Sequence, residues 1–125
     1  MIVFDAGALV ALDRNDRAVW VRLREAAQAG MVVLVPLGAF AQAWRGGSRQ
    51  ARLAQAMEHV EQVSFDQLAR EAGELCGRAS TSDVVDASVA LVAARPGVTH
   101  VYTSDSADIE ALLRALRVKR QIIRC

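Results

Sequence analysis

Short runs of apolar residues, separated by helical patterns, constrain the fold of this chain more than any other feature. The clearest runs are residues 1–4, 31–35 and 100–103. They are rich in β-branched and aromatic residues and do not alternate apolar with polar, so each strand is expected to be buried on both faces. Strands of this kind belong to a parallel sheet that helices cover on both sides. The sequence therefore predicts a three-layer α/β/α domain with a central, mostly parallel sheet.

Weaker sequence patterns predict the remaining strands and the helices that alternate with them. Two further strands are predicted at residues 60–65 and 121–124. Helices are predicted at residues 6–12, 17–29, 37–44, 48–57, 67–77, 84–94 and 107–116. The predicted N-caps are Asn15 or Asp16, Ser48, Asp66 and Asp83.

Length and composition limit what the chain can be. Its 125 residues are 53% hydrophobic, which suits one compact domain over residues 1–125. The net charge of +1 argues against a protein that holds nucleic acid by bulk charge alone, although local contacts stay open. Cys76 and Cys125 lie far apart without metal-ligand spacing, which favours a reducing, cytoplasmic compartment. No apolar stretch approaches the ~20 residues that cross a bilayer, so no membrane association is expected.

Carboxylates follow two of the predicted strands. Asp5 comes directly after the first strand, and Asp105 follows the strand at residues 100–103. Ligands of open parallel sheets bind at the carboxyl ends of the strands, so these side chains meet there if the two strands are neighbours. Asp83 and Asp86, three residues apart, can point at the same place. Mg²⁺ or Mn²⁺ would neutralise such a cluster, and a divalent ion can activate water against a phosphodiester.

Helix capping is the competing interpretation of the same residues. The pairs Asp83/Asp86 and Asp105/Asp108 both have the spacing of a capping box. Acidic residues in a first helical turn also gain about 0.3–1 kcal/mol each from the helix dipole. Asp5 is harder to explain in this way, because apolar residues surround it and leave an unpaired carboxylate with little stabilisation. Spacing alone leaves a metal site and a set of caps equally open.

Four segments, in order, resemble the PIN-domain nucleases, and most closely their VapC-type toxins. They are residues 2–7 (IVFDAG), 35–47 (VPLGAFAQAWRGG), 81–93 (TSDVVDASVALVA) and 101–108 (VYTSDSAD). Together they span nearly the whole chain. The resemblance implies an Mg²⁺-dependent endoribonuclease, the toxin of a type II toxin–antitoxin pair, which cuts RNA and is held inactive by a cognate antitoxin. It also implies a homodimer.

The resemblance assigns site residues. Asp5, Asp86 and Asp105 fall at the acidic metal-site positions of the family, and Asp83 and Asp108 are auxiliary candidates. Gln42 stands where the family usually has a glutamate that completes the cluster. An amide can orient water but supplies no charge. Ala6 replaces the hydroxyl residue that often follows the first aspartate.

Arginines follow the Gln42 helix. Arg45, Arg49 and Arg52 could bind RNA or an acidic segment of the antitoxin, although at least one of them is expected simply to face solvent. Trp20 lies on an apolar helix face and is assigned to the core or a subunit interface, not to a base-stacking surface.

Two rival functions stay open. A receiver-like phosphoacceptor domain would need paired acids near the first strand and a lysine after a late strand, and Lys119 comes too late for that. A catalytically weak PIN domain that acts by binding RNA or its antitoxin is favoured only by Gln42.

Overall fold

A five-stranded, all-parallel sheet covered by seven α-helices makes up the protein, in a computed structural model that describes all residues, Met1–Cys125. The strands are β1 Ile2–Phe4, β2 Val33–Pro36, β3 Glu61–Val63, β4 His100–Thr103 and β5 Gln121–Arg124. The helices are α1 Ala6–Asp13, α2 Arg17–Gln28, α3 Leu37–Ala43, α4 Ala51–Met57, α5 Ala69–Ala79, α6 Val84–Ala93 and α7 Ser106–Ala115. Two 3₁₀ turns lie at Ser48–Gln50 and Phe65–Gln67.

The strand order is β3-β2-β1-β4-β5, and all neighbouring pairs are parallel. The central strand β1 pairs with β2 on one side and with β4 on the other. After β1, the chain adds β2 and then β3 on one side of β1. The next strand, β4, lies on the other side of β1, and β5 follows it at that edge. This reversal creates a crevice at the carboxyl ends of β1 and β4, where ligands of open α/β sheets bind. The predicted parallel sheet is confirmed, and the two strands that precede Asp5 and Asp105, β1 and β4, are neighbours in it.

Each face of the sheet carries its own apolar core. Val3 and Val101 contribute to the core beneath α5, α6 and α7. Ile2 and Phe4 point to the opposite face and pack with residues of α1, α2 and α4. Side chains of a strand alternate between its two faces, so a continuous apolar run buries both of them. The predicted three-layer architecture is therefore confirmed.

Two of the predicted helix caps are correct and two are wrong. The carboxylate of Asp16 accepts from the backbone N–H of Val19, and Asp83 caps α6 in the same way. Ser48 instead begins a 3₁₀ turn and caps no helix. Asp66 lies inside the second 3₁₀ turn, where its N–H donates to Ser64. Both errors arise because a short turn uses the local polar groups before the α-helix begins.

Gly7 allows α1 to approach the loop that follows β4. A Cβ at this position would lie 2.6 Å from the backbone nitrogen of Ser104, too close for any side chain. The first turn of α1 and the β4–α7 loop therefore meet directly at the crevice. None of the helices has the length and apolarity that a membrane span requires.

Candidate metal centre

Asp5 lies at the end of β1 and is almost completely buried, with an exposed fraction of 2%. One carboxylate oxygen, Oδ1, accepts from the N–H of Ala6 at 2.6 Å and caps α1. The other, Oδ2, accepts a 2.7 Å hydrogen bond from the hydroxyl of Thr103 at the end of β4. These bonds fix the orientation of the carboxylate, but no cation of the protein pairs with it.

Asp105 follows β4 and occupies the N-cap position of α7. Its side chain makes no capping hydrogen bond, so the capping interpretation is wrong for this residue. The backbone N–H of Asp105 instead donates to the hydroxyl oxygen of Thr103 at 3.0 Å. The exposed carboxylate is therefore left without a partner within its own helix.

Asp86 lies in the first turn of α6 and is buried, with an exposed fraction of 5%. Its N–H donates to the Oδ1 of Asp83 at 2.9 Å, which is one half of a capping box. The reciprocal half is absent, because the N–H of Asp83 donates to Thr81 and not to Asp86. Asp83 thus acts as a cap, whereas the carboxylate of Asp86 does not complete the capping box.

The three carboxylates of Asp5, Asp86 and Asp105 converge. One oxygen from each can be chosen so that all three lie within 4.8 Å of one another. The residues come from three separate elements, namely the end of β1, the first turn of α6 and the start of α7. Carboxylates at these separations repel one another unless they share protons or a cation.

The protonation equilibria reflect this crowding. Burial raises the pKa of Asp5 above 3.8, although the hydrogen bonds from Thr103 and Ala6 oppose the rise. Burial raises the pKa of Asp86 to about 7, and the negative charges of Asp83, Asp5 and Asp105 add to the effect. A divalent cation would favour the charged forms of all these groups. Because every donor is a carboxylate oxygen, the cluster fits a hard ion such as Mg²⁺ or Mn²⁺.

The other acidic candidates lie around this cluster. Asp83 is close enough for its charge to raise the pKa of Asp86, but its own oxygen is engaged in capping. Asp108 lies in the first turn of α7, is exposed, and is not part of the group of three.

Gln42 is exposed in the second turn of α3. It lies four residues after Gly38, on the same helix face. A Cβ on Gly38 would contact the side chain of Val85, the residue before Asp86. The face of α3 that carries Gln42 is therefore turned towards the start of α6.

The three arginines predicted to bind partners have different environments. Arg45 donates to the carbonyl oxygens of Ala41 and Trp44, at the end of its own helix. Arg52 donates to the carbonyl oxygen of Asp13 at 3.3 Å. Arg49 is exposed and makes no hydrogen bond through its side chain, as expected for a residue that faces solvent.

Sequence reasoning missed two polar residues that organise this region. Thr103 is completely buried, and its hydroxyl connects Asp5 with the backbone of Asp105. Gln50 is buried and bonds to the backbone of Ala43, Arg45 and Gly46, which closes the end of α3. The register of β1 against β4 could have revealed Thr103, since Phe4 pairs with Tyr102 and the next residues are therefore Asp5 and Thr103. That register is not visible in the sequence.

Comparison of the chain with protein-family models and with curated proteins found no match.

Proposed function

We propose that the protein is a divalent-metal-dependent endoribonuclease that hydrolyses RNA phosphodiesters. The observation that carries this proposal is the convergence of Asp5, Asp86 and Asp105 within 4.8 Å at the carboxyl ends of β1 and β4. The order of four segments that resemble PIN-domain nucleases supports RNA as the substrate, because the same three aspartates fall at the acidic positions of that family.

Asp5, Asp86 and Asp105 would hold Mg²⁺ or Mn²⁺. Such an ion, when bound, supplies Lewis acidity that activates water and stabilises charge on a reacting phosphate. Thr103 orients the Asp5 carboxylate through its hydroxyl. Because the pKa of Asp86 is about 7, part of the metal-free protein carries a proton there at neutral pH. Cation binding requires the charged form and therefore releases that proton.

The biological role is proposed from the resemblance to VapC-type toxins. The protein would be the toxin of a type II toxin–antitoxin pair, active as a homodimer in the cytoplasm and inhibited by a cognate antitoxin. Two unpaired cysteines, buried Cys76 and exposed Cys125, suit a reducing compartment.

A catalytically weak PIN domain is the second candidate. Gln42 favours it. This residue lies on the face of α3 turned towards α6, and it is a neutral amide where PIN-domain nucleases usually have a glutamate. Such a protein would keep the acidic cluster but act by binding RNA or its antitoxin. Both candidates share the fold and the cluster, and they differ only in turnover.

A cleavage assay separates them. Purified chain, free of any partner, is incubated with single-stranded RNA in chelator, Mg²⁺, Mn²⁺ or Zn²⁺. Cleavage is expected with Mg²⁺ and Mn²⁺ and not in chelator. Zn²⁺ should substitute poorly, because the cluster offers no histidine or cysteine ligand. Full activity in chelator would reject the metal-dependent mechanism, and RNA binding without cleavage in any metal would favour the second candidate.

A further inference from the structure

A cavity of about 520 Å³ lies between α2 and α4, outside the acidic cluster. Three of the side chains that line it are arginines, namely Arg17 and Arg24 from α2 and Arg52 from α4. The amides of Asn15 and Gln55 also line it, and no carboxylate does. The cavity is therefore rich in hydrogen-bond donors and positive charge.

The charge of these arginines is not neutralised within the protein. The ion pairs of the structure are Arg22–Glu25 and Arg114–Glu110, and neither involves an arginine of the cavity. Arg17, Arg24 and Arg52 are all exposed, so an anion that enters the cavity can reach their guanidinium groups. Guanidinium groups favour phosphate in particular, because their paired N–H groups match its oxygens.

An aromatic ring, that of Trp20, lies among the cations. The sequence assigns Trp20 to the core or an interface; in the structure the ring packs against the core and also lines this cavity. Arg17, Trp20 and Arg24 are spaced three and four residues apart, so they share one face of α2. The indole Nε1 of Trp20 donates to the carbonyl oxygen of Leu12 at 3.0 Å, which fixes the half-buried ring where it lines the cavity. Aromatic rings beside arginines are the usual means of binding single-stranded nucleic acid, with bases on the rings and phosphates on the cations.

The start of α2, which carries Arg17 of the cavity, lies near the acidic cluster. The first turn of α2, through Asp16 and Val19, borders a smaller cavity together with Arg124 and Cys125 at the end of β5. Cys125 in turn donates its backbone N–H to Thr103, the residue that contacts Asp5. The start of α2 is therefore positioned beside the carboxyl ends of the strands.

We propose that the cavity lined by Arg17, Arg24, Arg52 and Trp20 binds a phosphate and an adjoining base of the single-stranded RNA whose cleavage takes place at the acidic cluster. This inference rests on the proposed function, and it adds a substrate subsite that positions the RNA. Nη1 of Arg52 donates a hydrogen bond to the carbonyl oxygen of Asp13, and this bond holds the side chain at the rim of the cavity.

Binding is tested without cleavage. A fluorescein-labelled single-stranded RNA is titrated by anisotropy with the Asp5→Asn protein in chelator, over a series of salt concentrations. The variants Arg17→Gln, Arg24→Gln and Arg52→Gln are compared with Arg78→Gln, which removes an exposed arginine of α5. Each loss of a phosphate contact should reduce, by about 0.7, the steepness with which the logarithm of the binding constant falls with the logarithm of the salt concentration. It should also weaken binding about fivefold at 0.1 M salt. Arg78→Gln should change neither quantity.

The contact between Trp20 and an RNA base is tested by fluorescence. The chain has two tryptophans, so Trp44→Phe leaves Trp20 as the only indole. RNA binding should then quench the remaining fluorescence, and unchanged fluorescence on saturation would overturn the stacking contact. Melting temperatures of all variants, measured alongside, identify any that fail to fold.

The possible failures are distinguishable. If the parent cleaves RNA while the cavity variants bind RNA as Arg78→Gln does, the cavity is rejected and the nuclease is kept. If the parent shows no metal-dependent cleavage, but the arginine variants of the cavity bind RNA more weakly than the parent, the nuclease is rejected and the RNA-binding cavity is kept. If polyglutamate competes as well as polyuridylate of matched charge, the cavity is a site for an acidic protein, and the RNA proposal is overturned.

Discussion

The hydroxyl of Thr103 donates a 2.7 Å hydrogen bond to the carboxylate of Asp5, a residue 98 positions away in the chain. The same hydroxyl oxygen accepts from the backbone N–H of Asp105 at 3.0 Å. One buried side chain thus connects two members of the acidic cluster, and it does so because β1 and β4 are paired in parallel. Removing it should affect both stability and metal binding.

Thr103→Val tests this connection at nearly constant side-chain volume. The substitution leaves the N–H of Asp105 without its acceptor and removes the donor that lowers the pKa of Asp5. We expect a loss of about 1–3 kcal/mol in the free energy of unfolding, since partners of a buried hydrogen bond are left unsatisfied. We also expect a higher Mg²⁺ concentration for half-maximal cleavage. Thr99→Val is the control, because the hydrogen bonds of its hydroxyl, to Met1 and to the ring of His100, are exposed. Equal effects of the two substitutions would contradict a special role for Thr103.

Asp5→Asn removes one charge from the cluster with little change of volume. Cleavage should fall by about 100-fold or more, because a ligand of the metal is lost. The fold should persist, since the amide oxygen of asparagine can accept one of the two hydrogen bonds and a buried charge is removed. Asp108→Asn, an exposed aspartate outside the cluster, should leave the rate unchanged. A parental cleavage rate in Asp5→Asn at saturating Mg²⁺ would show that the assigned site is wrong.

The stability of the metal-free protein should depend on pH through Asp86. Its pKa is raised from 3.8 to about 7, so the protonated form favours the folded state. This contribution is complete below the unfolded pKa and is lost as the pH rises through about 7. After allowance for solvent screening, we expect a loss on the order of 1 kcal/mol, or roughly 3–5 °C in melting temperature.

Melting curves between pH 4 and 8 in chelator measure this effect. Asp86→Asn should remove most of the decline, because an amide does not titrate. Mg²⁺ should raise the melting temperature more at pH 8 than at pH 5, since the cation binds the charged carboxylates. A melting temperature of the metal-free parent that rises between pH 5 and 8 would contradict the prediction.

Gln42→Glu adds the negative charge that the resemblance to PIN-domain nucleases leads one to expect. If the face of α3 that carries Gln42 borders the cluster, the Mg²⁺ concentration for half-maximal cleavage should fall by up to about tenfold. The metal-free protein should become slightly less stable, because a further carboxylate adds repulsion. Gln62→Glu on the exposed part of β3 serves as the matched control. Unchanged metal dependence would show that Gln42 lies outside the site.

Much of the local structure is determined by the sequence alone. Apolar runs such as residues 31–35 place the strands to within two or three residues, because an unbroken run can be satisfied only by burial on both faces. The caps at Asp16 and Asp83 follow from side chains that bond to N–H groups three residues away. Ser48 and Asp66 were predicted wrongly because nothing in the sequence distinguishes a 3₁₀ turn from the first turn of an α-helix.

The sequence also selects the residues of the cluster, but only the tertiary structure decides their roles. Asp83 and Asp105 both begin helices and have the same spacing to a second aspartate. The structure makes a cap of Asp83 and leaves the carboxylate of Asp105 free to join Asp5 and Asp86. The difference arises from the pairing of β1 with β4 and from the position of α6, which are contacts between residues about 80–100 positions apart that no local pattern encodes. Capping depends on near neighbours and can be read from the sequence, whereas convergence depends on strand order and register.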